Sequence, residues 1–386
     1  MKFLKRAIFI NLAAILVIAV GLTFFFITPI GRPALKTMLL VPEVVPNFPI
    51  KPIHYLNKDP QVEEITLQIP QKTIKADLYR PKDNKKHPAI VFSLGTIVTR
   101  KSEEVTKFAE TLSRMGFVVL VPDLPDFISG FVWTDSVDGL LSSIQFLDTQ
   151  NFVDKKKMGF AAFCVGASAA IVASEDEKIS NKVSFIAAIA PYFSAKEAAE
   201  AIILGKAKDS NGSWTDWQPH ELSVNTIQTG YIHSVENEAE RELMKGHFLT
   251  GKKMSGDEIE KLSPETRAIF DFLTNTDDAK FDEIWKRIPD DFKNDVFDYL
   301  SPDLKINKLK AKLLILNDKK DTYVPKTEGE KFVKNLPKNQ LYLIEVDSFE
   351  HVNPTTKLTR LAAIKQLLNL SKYLYRIFYQ AENPQN

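Results

Sequence analysis

A short segment around the single cysteine has the residue types and spacing of a covalent nucleophile. It reads Gly159-Phe-Ala-Ala-Phe-Cys164-Val-Gly166, so small residues stand two positions before and two after the cysteine, at Ala162 and Gly166. A nucleophile on a tight turn between a strand and a helix requires this spacing, because larger side chains would collide with the neighbouring elements. The following helix N-terminus would favour the reactive thiolate form of Cys164. A buried structural cysteine at such a junction is the alternative interpretation.

Two later segments offer an acid and a base in the chain order that this kind of nucleophile needs. A buried strand over 313–316 ends in a loop that contains Asp321, and a strand over 341–346 leads into a loop that contains His351. His351 would take the thiol proton and later activate water, while Asp321 would hold the histidine in one tautomer. Asp318 is the second candidate acid, although its place beside the strand is more typical of a turn former. An ordinary loop histidine is the alternative for His351.

Strands alternating with helices position these segments, and they predict an α/β fold with a mainly parallel, doubly wound sheet. Between about Ser194 and Leu309 only helical patterns separated by polar loops occur, such as those at 234–250, 257–275 and 277–300, so we expect a helical insertion at 194–308. The two parts of the sheet domain are then 60–193 and 309–386. The eight predicted strands are 62–69, 73–79, 87–92, 117–122, 157–163, 183–190, 311–316 and 339–346.

With these segments in place, the chain resembles the α/β-hydrolase superfamily, and most closely the dienelactone-hydrolase-like proteins, whose cysteine nucleophile lies in a Gly-x-Cys-x-Gly turn. The resemblance covers about 60–193 and 309–383. It implies a Cys–His–Asp triad that acts on esters or lactones, with the insertion as a lid.

The chain departs from this pattern in three places. Ala162 replaces the first glycine of the turn, and Leu94 precedes Gly95 where the family often has His-Gly. Related hydrolases also carry serine more often than cysteine as the nucleophile. An oxyanion hole uses backbone amides, so it is still expected here, at Val165 and Thr96.

The insertion contains aromatic and histidine residues with two possible roles each. The aromatic residues either line an acyl pocket or pack the lid helices together, and packing is the more ordinary role; they are Trp214, Trp217, Phe248, Phe270, Phe272 and Trp285. His220, His233 and His247 lack a metal-binding spacing such as His-Glu-x-x-His, so they are expected at the surface. We expect no metal and no organic cofactor.

The N-terminal 31 residues predict a membrane anchor. Residues 7–31 carry no charge, and about 20 apolar residues suffice to span a bilayer as a helix. Lys2, Lys5 and Arg6 precede the stretch, which keeps that end cytoplasmic and places the rest outside, in the periplasm or the extracellular space. A cleaved signal peptide is the alternative. The six prolines of 32–60 predict a linker.

Composition narrows the class of function. Lys and Arg number 50 against 49 Asp and Glu, a net charge of +1, so no bulk field attracts nucleic acid. One cysteine excludes an intramolecular disulfide. The apolar N-terminal segment predicts a membrane-anchored, extracytoplasmic protein, and the family resemblance implies a hydrolase of small carboxylic esters or lactones. An acyltransferase and a non-catalytic binding protein with the same fold are the alternatives.

Overall fold

The structure is a computed structural model of the 386-residue chain. The residues that it describes are 2–44, 50–56, 58–209, 211–347 and 359–384.

Within the described residues, ten strands form two sheets. They are β1 Gln61–Ile69, β2 Lys72–Arg80, β3 His87–Ser93, β4 Val118–Pro122, β5 Val153–Phe163, β6 Val183–Ile189, β7 Lys206–Lys208, β8 Trp214–Asp216, β9 Lys312–Asp318 and β10 Leu341–Val346. The large sheet has the order β1-β2-β4-β3-β5-β6-β9-β10. In it β2 is antiparallel to both of its neighbours, whereas every other pair is parallel. The predicted mainly parallel sheet and its eight strands are confirmed.

Helices cover both faces of this sheet, and others form the insertion and the N-terminal segment. They are α1 Lys2–Ile27, α2 Gly31–Val44, α3 Ile53–Leu56, α4 Glu103–Arg114, α5 Pro125–Ile128, α6 Thr134–Thr149, α7 Val165–Glu175, α8 Ala195–Leu204, α9 Glu221–His233, α10 Glu238–Leu249, α11 Gly256–Glu260, α12 Pro264–Leu273, α13 Asp278–Arg287, α14 Asp290–Phe292, α15 Lys326–Asn335 and α16 Arg360–Glu382. A π-helical segment, Lys293–Asp298, follows α14, and two 3₁₀ turns, Pro302–Leu304 and Ile306–Lys308, precede β9.

Two hydrophobic cores lie on the two faces of the large sheet. The core on one face includes residues of α6, α7 and α15, and it continues into the helices between β6 and β9. The core on the other face includes residues of α2, α4 and α16. The central strands are covered on both faces, which explains their continuous apolar sequences; all five residues of β4 are buried. The edge strand β1 instead alternates between more and less exposed positions.

The order of the strands determines where a ligand site can form. After β3 the chain moves outward to β4, and after β4 it crosses back over β3 to β5. At such a reversal the connections leave a crevice at the carboxyl ends of the two central strands. The loop after β3 and the turn between β5 and α7 both begin at this crevice.

The segment between β6 and β9 differs in detail from the predicted run of helices. Two of the predicted helices are each divided, because Pro264 begins α12 after the Ser263 cap and Pro289 follows the end of α13. A small antiparallel hairpin, β7 with β8, was not predicted. Its strands have three residues each, too few for an alternating pattern to be recognised.

The prediction of a linker at 32–60 is wrong for its first part, because residues up to Val44 form α2, which packs on α16. Leu40 and Val41 of α2 are buried in the same core as Leu374 and Phe378 of α16. Lys36 forms an ion pair with Glu382, with 2.8 Å between Nζ and Oε1. The apolar side chains of α2 thus find a partner far away in sequence, which proline content alone does not reveal.

The apolar helix α1 is long enough to cross a membrane by length and composition. Its window Ile10–Ile27 has a mean hydropathy of 2.6, and none of the window is buried inside the protein. An N-terminal signal sequence meets the same criterion. The turn to α2 is tight, since a Cβ on Gly31 would lie 2.1 Å from the carbonyl oxygen of Phe24.

Candidate active site

Cys164 occupies the single residue between β5 and α7, in a strained backbone conformation. Its φ is +54° and its ψ −132°, a region that residues other than glycine rarely adopt. Such a conformation costs about 1–3 kcal/mol and persists only where the surroundings enforce it. Here the Cys164 amide donates to the Ile189 carbonyl oxygen at 2.8 Å, and the Ala167 amide donates to the Cys164 carbonyl oxygen at 2.8 Å. The turn thereby lifts the thiol above the end of β5.

The small residues on either side of Cys164 allow neighbouring chain segments to approach closely. A Cβ on Gly166 would lie 2.2 Å from the carbonyl oxygen of Leu94, so any larger residue would push the two loops apart. Ala162 is buried and pairs in register with Ser93 of β3 and Ala188 of β6. Its single methyl group fits between these strands, which is consistent with alanine at a position where the family pattern has glycine.

The loop after β3 lies beside Cys164. A Cβ on Gly95 would lie 3.7 Å from the Cys164 Cβ, and the Ser93 hydroxyl donates to the Gly166 carbonyl oxygen at 2.8 Å. Val165 is the first residue of α7, so its amide has no carbonyl partner within the helix. Thr96 and Val165 line the same cavity as Cys164. The structure therefore brings together the cysteine and the two segments expected to supply oxyanion donors.

Asp321 lies in the loop between β9 and α15. It is buried, and its Oδ1 accepts hydrogen bonds from the amides of Tyr323 at 2.7 Å and Val324 at 3.0 Å. Val324 packs in one apolar cluster with Cys164 and Tyr192, so the acid loop adjoins the cysteine. Asp318 is the last residue of β9, and its Oδ1 accepts a hydrogen bond from the Lys320 amide at 2.8 Å, which is a turn-forming contact.

His351 lies outside the described residues. The strand that leads toward it, β10, lies next to β9 and parallel to it. At the carboxyl end of this pair the Lys319 amide donates to the Val346 carbonyl oxygen at 2.9 Å. The chain toward His351 thus leaves the sheet beside the loop that carries Asp321.

Cys164 opens onto a mainly apolar cavity between the sheet and the insertion. The cavity has about 850 Å³ of empty space, part of it open to solvent. None of its lining residues carries a charge. They are Thr96, Val132, Cys164, Val165, Tyr192, Ala195, Ala198, Ile202, Leu222, Ser223, Thr226, Ile227, Gly230, Tyr231, Phe292, Val296, Phe297, Leu300, Tyr323, Val324 and Pro325.

The six aromatic residues of the insertion considered as pocket residues do not line this cavity. Trp285, for example, packs on Phe281 and Phe272, and the Trp214 ring lies under the ammonium groups of Lys206 and Lys208. The cavity instead uses Tyr231, Phe292 and Phe297. Helical periodicity shows which residues share a face, but it does not show which face meets the sheet domain, so the sequence did not separate the two sets.

One part of the insertion is hydrogen-bonded to the loop that contains Asp321, and the sequence analysis did not predict this contact. The Trp217 Nε1 donates to the Asp321 carbonyl oxygen at 2.7 Å, and the His220 amide donates to that of Thr322 at 2.7 Å. The His220 ring also stacks on Tyr323, with 4.1 Å between the ring centroids. These contacts hold the start of α9 and the acid loop together as one wall of the cavity.

Tyr192 connects the helix after Cys164 to the insertion, and the sequence analysis did not identify this residue as part of the site. Its amide donates to the Ser168 hydroxyl at 2.9 Å, and its own hydroxyl donates to the Leu300 carbonyl oxygen at 3.0 Å. Burial, and after it the negative charge of an ionised Cys164, raise the pKa of Tyr192 above its ordinary value. The hydroxyl therefore stays protonated and remains a donor.

The described residues contain no group of three or more His, Cys, Asp or Glu side chains arranged to hold a metal ion. Within this part of the chain, His220 accepts a hydrogen bond from the Leu222 amide, and His247 accepts one from the Met254 amide. His233 is exposed, as expected, and its ring packs against those of Phe131 and Trp133.

No family model matches the chain, and no curated protein matches its sequence. Solved structures do match its fold. A puromycin-hydrolyzing peptidase of Mycobacterium tuberculosis superposes with a TM-score of 0.50 and 12% identity, over 88% of this chain and 41% of that one. An esterase of Pyrobaculum calidifontis gives a TM-score of 0.43 and 17% identity, over 89% and 91% of the two chains. Est1E of Butyrivibrio proteoclasticus gives 0.44 and 12%, over 81% and 98%.

The chain spans about two fifths of the length of the tuberculosis peptidase. The strand order, the reversal of the chain at β3 and this likeness together define the α/β-hydrolase fold.

Proposed function

We propose that the protein is a membrane-anchored, extracytoplasmic hydrolase of carboxylic esters or lactones, related to the dienelactone hydrolases, with a Cys164–His351–Asp321 triad. The observation that carries the proposal is the strained backbone of Cys164, a residue that lines a cavity of uncharged residues. A merely structural cysteine has no need of this strain. The α/β-hydrolase fold supports the same conclusion, because it places a nucleophile at this turn.

The proposed reaction has two steps. His351 removes the thiol proton while Sγ attacks the ester carbonyl, and the amides of Val165 and Thr96 stabilise the oxyanion. The alcohol leaves with the proton from His351 and a thioester remains on Cys164. A water molecule, activated by His351, then releases the carboxylic acid and restores the thiol.

The cavity lining favours an uncharged, largely apolar acyl or aromatic group. Burying an unpaired charge among Ile202, Leu222 and Phe297 would cost several kcal/mol, whereas each buried methylene contributes about 0.8 kcal/mol. A longer acyl chain would cover more of these apolar side chains than a short one. We therefore expect activity to rise with acyl length over the first several carbon atoms.

The direct test is hydrolysis of p-nitrophenyl esters of increasing acyl length by the full chain in detergent. Cys164→Ala and His351→Ala should each lower kcat/KM by roughly a thousandfold or more, because the triad acts as a unit. His247→Ala is the matched control, since this histidine lies in the insertion and does not line the cavity. Full activity of Cys164→Ala would refute the proposal.

Labelling with iodoacetamide distinguishes the alternative of a non-catalytic binding protein. Because Cys164 is the only cysteine, Cys164→Ala is a complete blank for this reaction. Failure of Cys164 to react with iodoacetamide, together with no hydrolysis of any ester, would favour a binding role. Ester products formed with an added alcohol, in place of the free acid, would show an acyltransferase.

The location is tested separately from the chemistry. Full-length protein should stay with membranes after an alkaline wash, and protease added outside intact cells or spheroplasts should digest the domain that follows α1. Release of the domain as a soluble, shortened protein would instead show a cleaved signal peptide.

A further inference from the structure

Three consecutive carbonyl oxygens in the loop that contains Asp321 accept hydrogen bonds from the insertion. This loop, 319–325, joins β9 to α15. The bonds run from Trp217 Nε1 to the Asp321 oxygen at 2.7 Å, from the His220 amide to the Thr322 oxygen at 2.7 Å, and from the Ser223 hydroxyl to the Tyr323 oxygen at 3.0 Å. The three donors lie in one short segment, 217–223, at the start of α9, so they act on the loop together.

The carboxylate of Asp321 follows the backbone that these bonds hold. Asp321 is 3% exposed, and its Oδ1 accepts hydrogen bonds from the amides of Tyr323 and Val324, at 2.7 and 3.0 Å. The side chain is therefore tied to the same stretch of backbone whose carbonyl oxygens are bonded to the insertion. Loops are ordinarily among the more mobile parts of a domain, and movement of this loop would carry the carboxylate with it.

The donors are themselves attached to a packed helix. His220 caps α9, since its Nδ1 accepts a hydrogen bond from the Leu222 amide at 3.1 Å, and its ring stacks on Tyr323 with 4.1 Å between the centroids. Further along α9, Tyr231 and Ile232 are buried in the core that includes residues of α7. Groups on a packed helix hold a geometry more closely than groups on a loop do, so α9 can fix the position of the acid loop.

From these contacts we infer that Trp217, His220 and Ser223 are positioning residues for the proposed triad. They hold the loop in the place from which the Asp321 carboxylate orients His351, so the insertion contributes to the chemistry as well as to the cavity. The inference rests on the proposed function for the pairing of Asp321 with His351. Its physical basis is that a small displacement of a catalytic group removes much of its effect on the rate.

The first test is Trp217→Phe, which removes the donor and keeps an aromatic ring. With p-nitrophenyl octanoate and the full chain in detergent, kcat should fall about tenfold, while KM stays within about twofold because Trp217 does not line the cavity. Trp214→Phe is the matched control, since its ring lies under the ammonium groups of Lys206 and Lys208 within the insertion, and it should leave both constants unchanged. Equal kcat values for Trp217→Phe and the unmodified chain would overturn the inference.

The pH profile of kcat/KM distinguishes positioning from a general loss of stability. A carboxylate beside a histidine favours the protonated ring, so displacement of Asp321 in Trp217→Phe should move the acidic limb of the profile to lower pH, by about half a unit or more. Asp321→Asn keeps an oxygen for the Tyr323 and Val324 amides but removes the charge. In that background Trp217→Phe should cause no further shift. The same shift in both backgrounds, or a lower kcat with an unmoved limb, would contradict the inference.

Hydrogen exchange separates failure of this inference from failure of the proposed function, because it needs no turnover. The amides of Tyr323 and Val324 report on the bonds to Asp321 Oδ1. Their exchange in the ligand-free protein, measured by mass spectrometry on peptides that cover 319–326, should be about tenfold faster in Trp217→Phe than in Trp214→Phe. If no ester is hydrolysed but the exchange differs in this way, the proposed function fails and the positioning of Asp321 stands. Equal exchange in the two variants would refute the positioning, whatever the activity.

Discussion

Replacing Glu175 by glutamine should change how the stability of the protein depends on pH. Glu175 is the last residue of α7 and is 2% exposed, and neither of its carboxylate oxygens has a partner among the described residues. Burial raises its pKa from 4.5 to about 9; the charge of Lys305 opposes this increase and that of Asp303 adds to it. The folded protein therefore keeps a proton on Glu175 at neutral pH, whereas the unfolded chain has lost it.

The sign and size of the effect follow from this difference in proton binding. Because the folded state binds one more proton between pH 4.5 and about 9, the free energy of unfolding falls as pH rises through this range. Each tenfold change in proton affinity is worth about 1.4 kcal/mol, so the full loss is at most about 6 kcal/mol. Between pH 6.5 and pH 8.5 the expected loss is roughly 3 kcal/mol.

Glutamine has the shape of the protonated carboxyl group and does not ionise. Urea unfolding of Glu175→Gln at pH 6.5, 7.5 and 8.5 should therefore lack this loss, so that the variant becomes the more stable protein at the highest pH. Glu177→Gln is the control, because Glu177 is exposed two residues further along. Parallel pH profiles for Glu175→Gln and the unmodified chain would refute the argument.

Two further predictions test the packing that surrounds the site. Leu40→Ala in α2 should lower the free energy of unfolding by about 2–5 kcal/mol in urea melts, whereas Met38→Ala, at an exposed position, should have little effect; equal small effects would mean that α2 does not pack on α16. Arg100→Leu should cost about 1.5–3 kcal/mol, because it removes one ion-pair partner of the buried Asp77, which keeps its ion pair with Lys101. Lys107→Leu, whose ion pair is exposed, should cost less than about 1 kcal/mol in the same melts, and a comparable loss would contradict this reasoning.

Local sequence patterns were sufficient to predict the strands and helices of the sheet domain. The central strands are short apolar runs because both of their faces are covered, and each run is followed by a helix pattern of recognisable length. The turn at Cys164 was visible for a similar reason, since close approach to Leu94 permits only glycine at 166 and leaves that requirement in the sequence.

Predictions failed where the partner of a segment is distant in the chain. The prolines of 32–44 suggested a linker, but Leu40 and Val41 are buried by a helix more than 300 residues later. The insertion was predicted to be helical, yet the residues that line its cavity were not identified. Aromatic residues occur on several faces of its helices, and the sequence does not show which face meets the cavity. His351 lies outside the described residues, so its place in the site stays a prediction.

The sequence by itself determined the type of fold, the order of the candidate site residues and the apolar N-terminal helix. These depend on residue types at short separations, where periodicity and turn chemistry act directly. Only the tertiary structure decided which face of each insertion helix meets the sheet, that Trp217 and His220 hold the Asp321 loop, and that Tyr231, Phe292 and Phe297 line the cavity. Such features depend on the packing of elements far apart in the chain, and no local pattern contains that information.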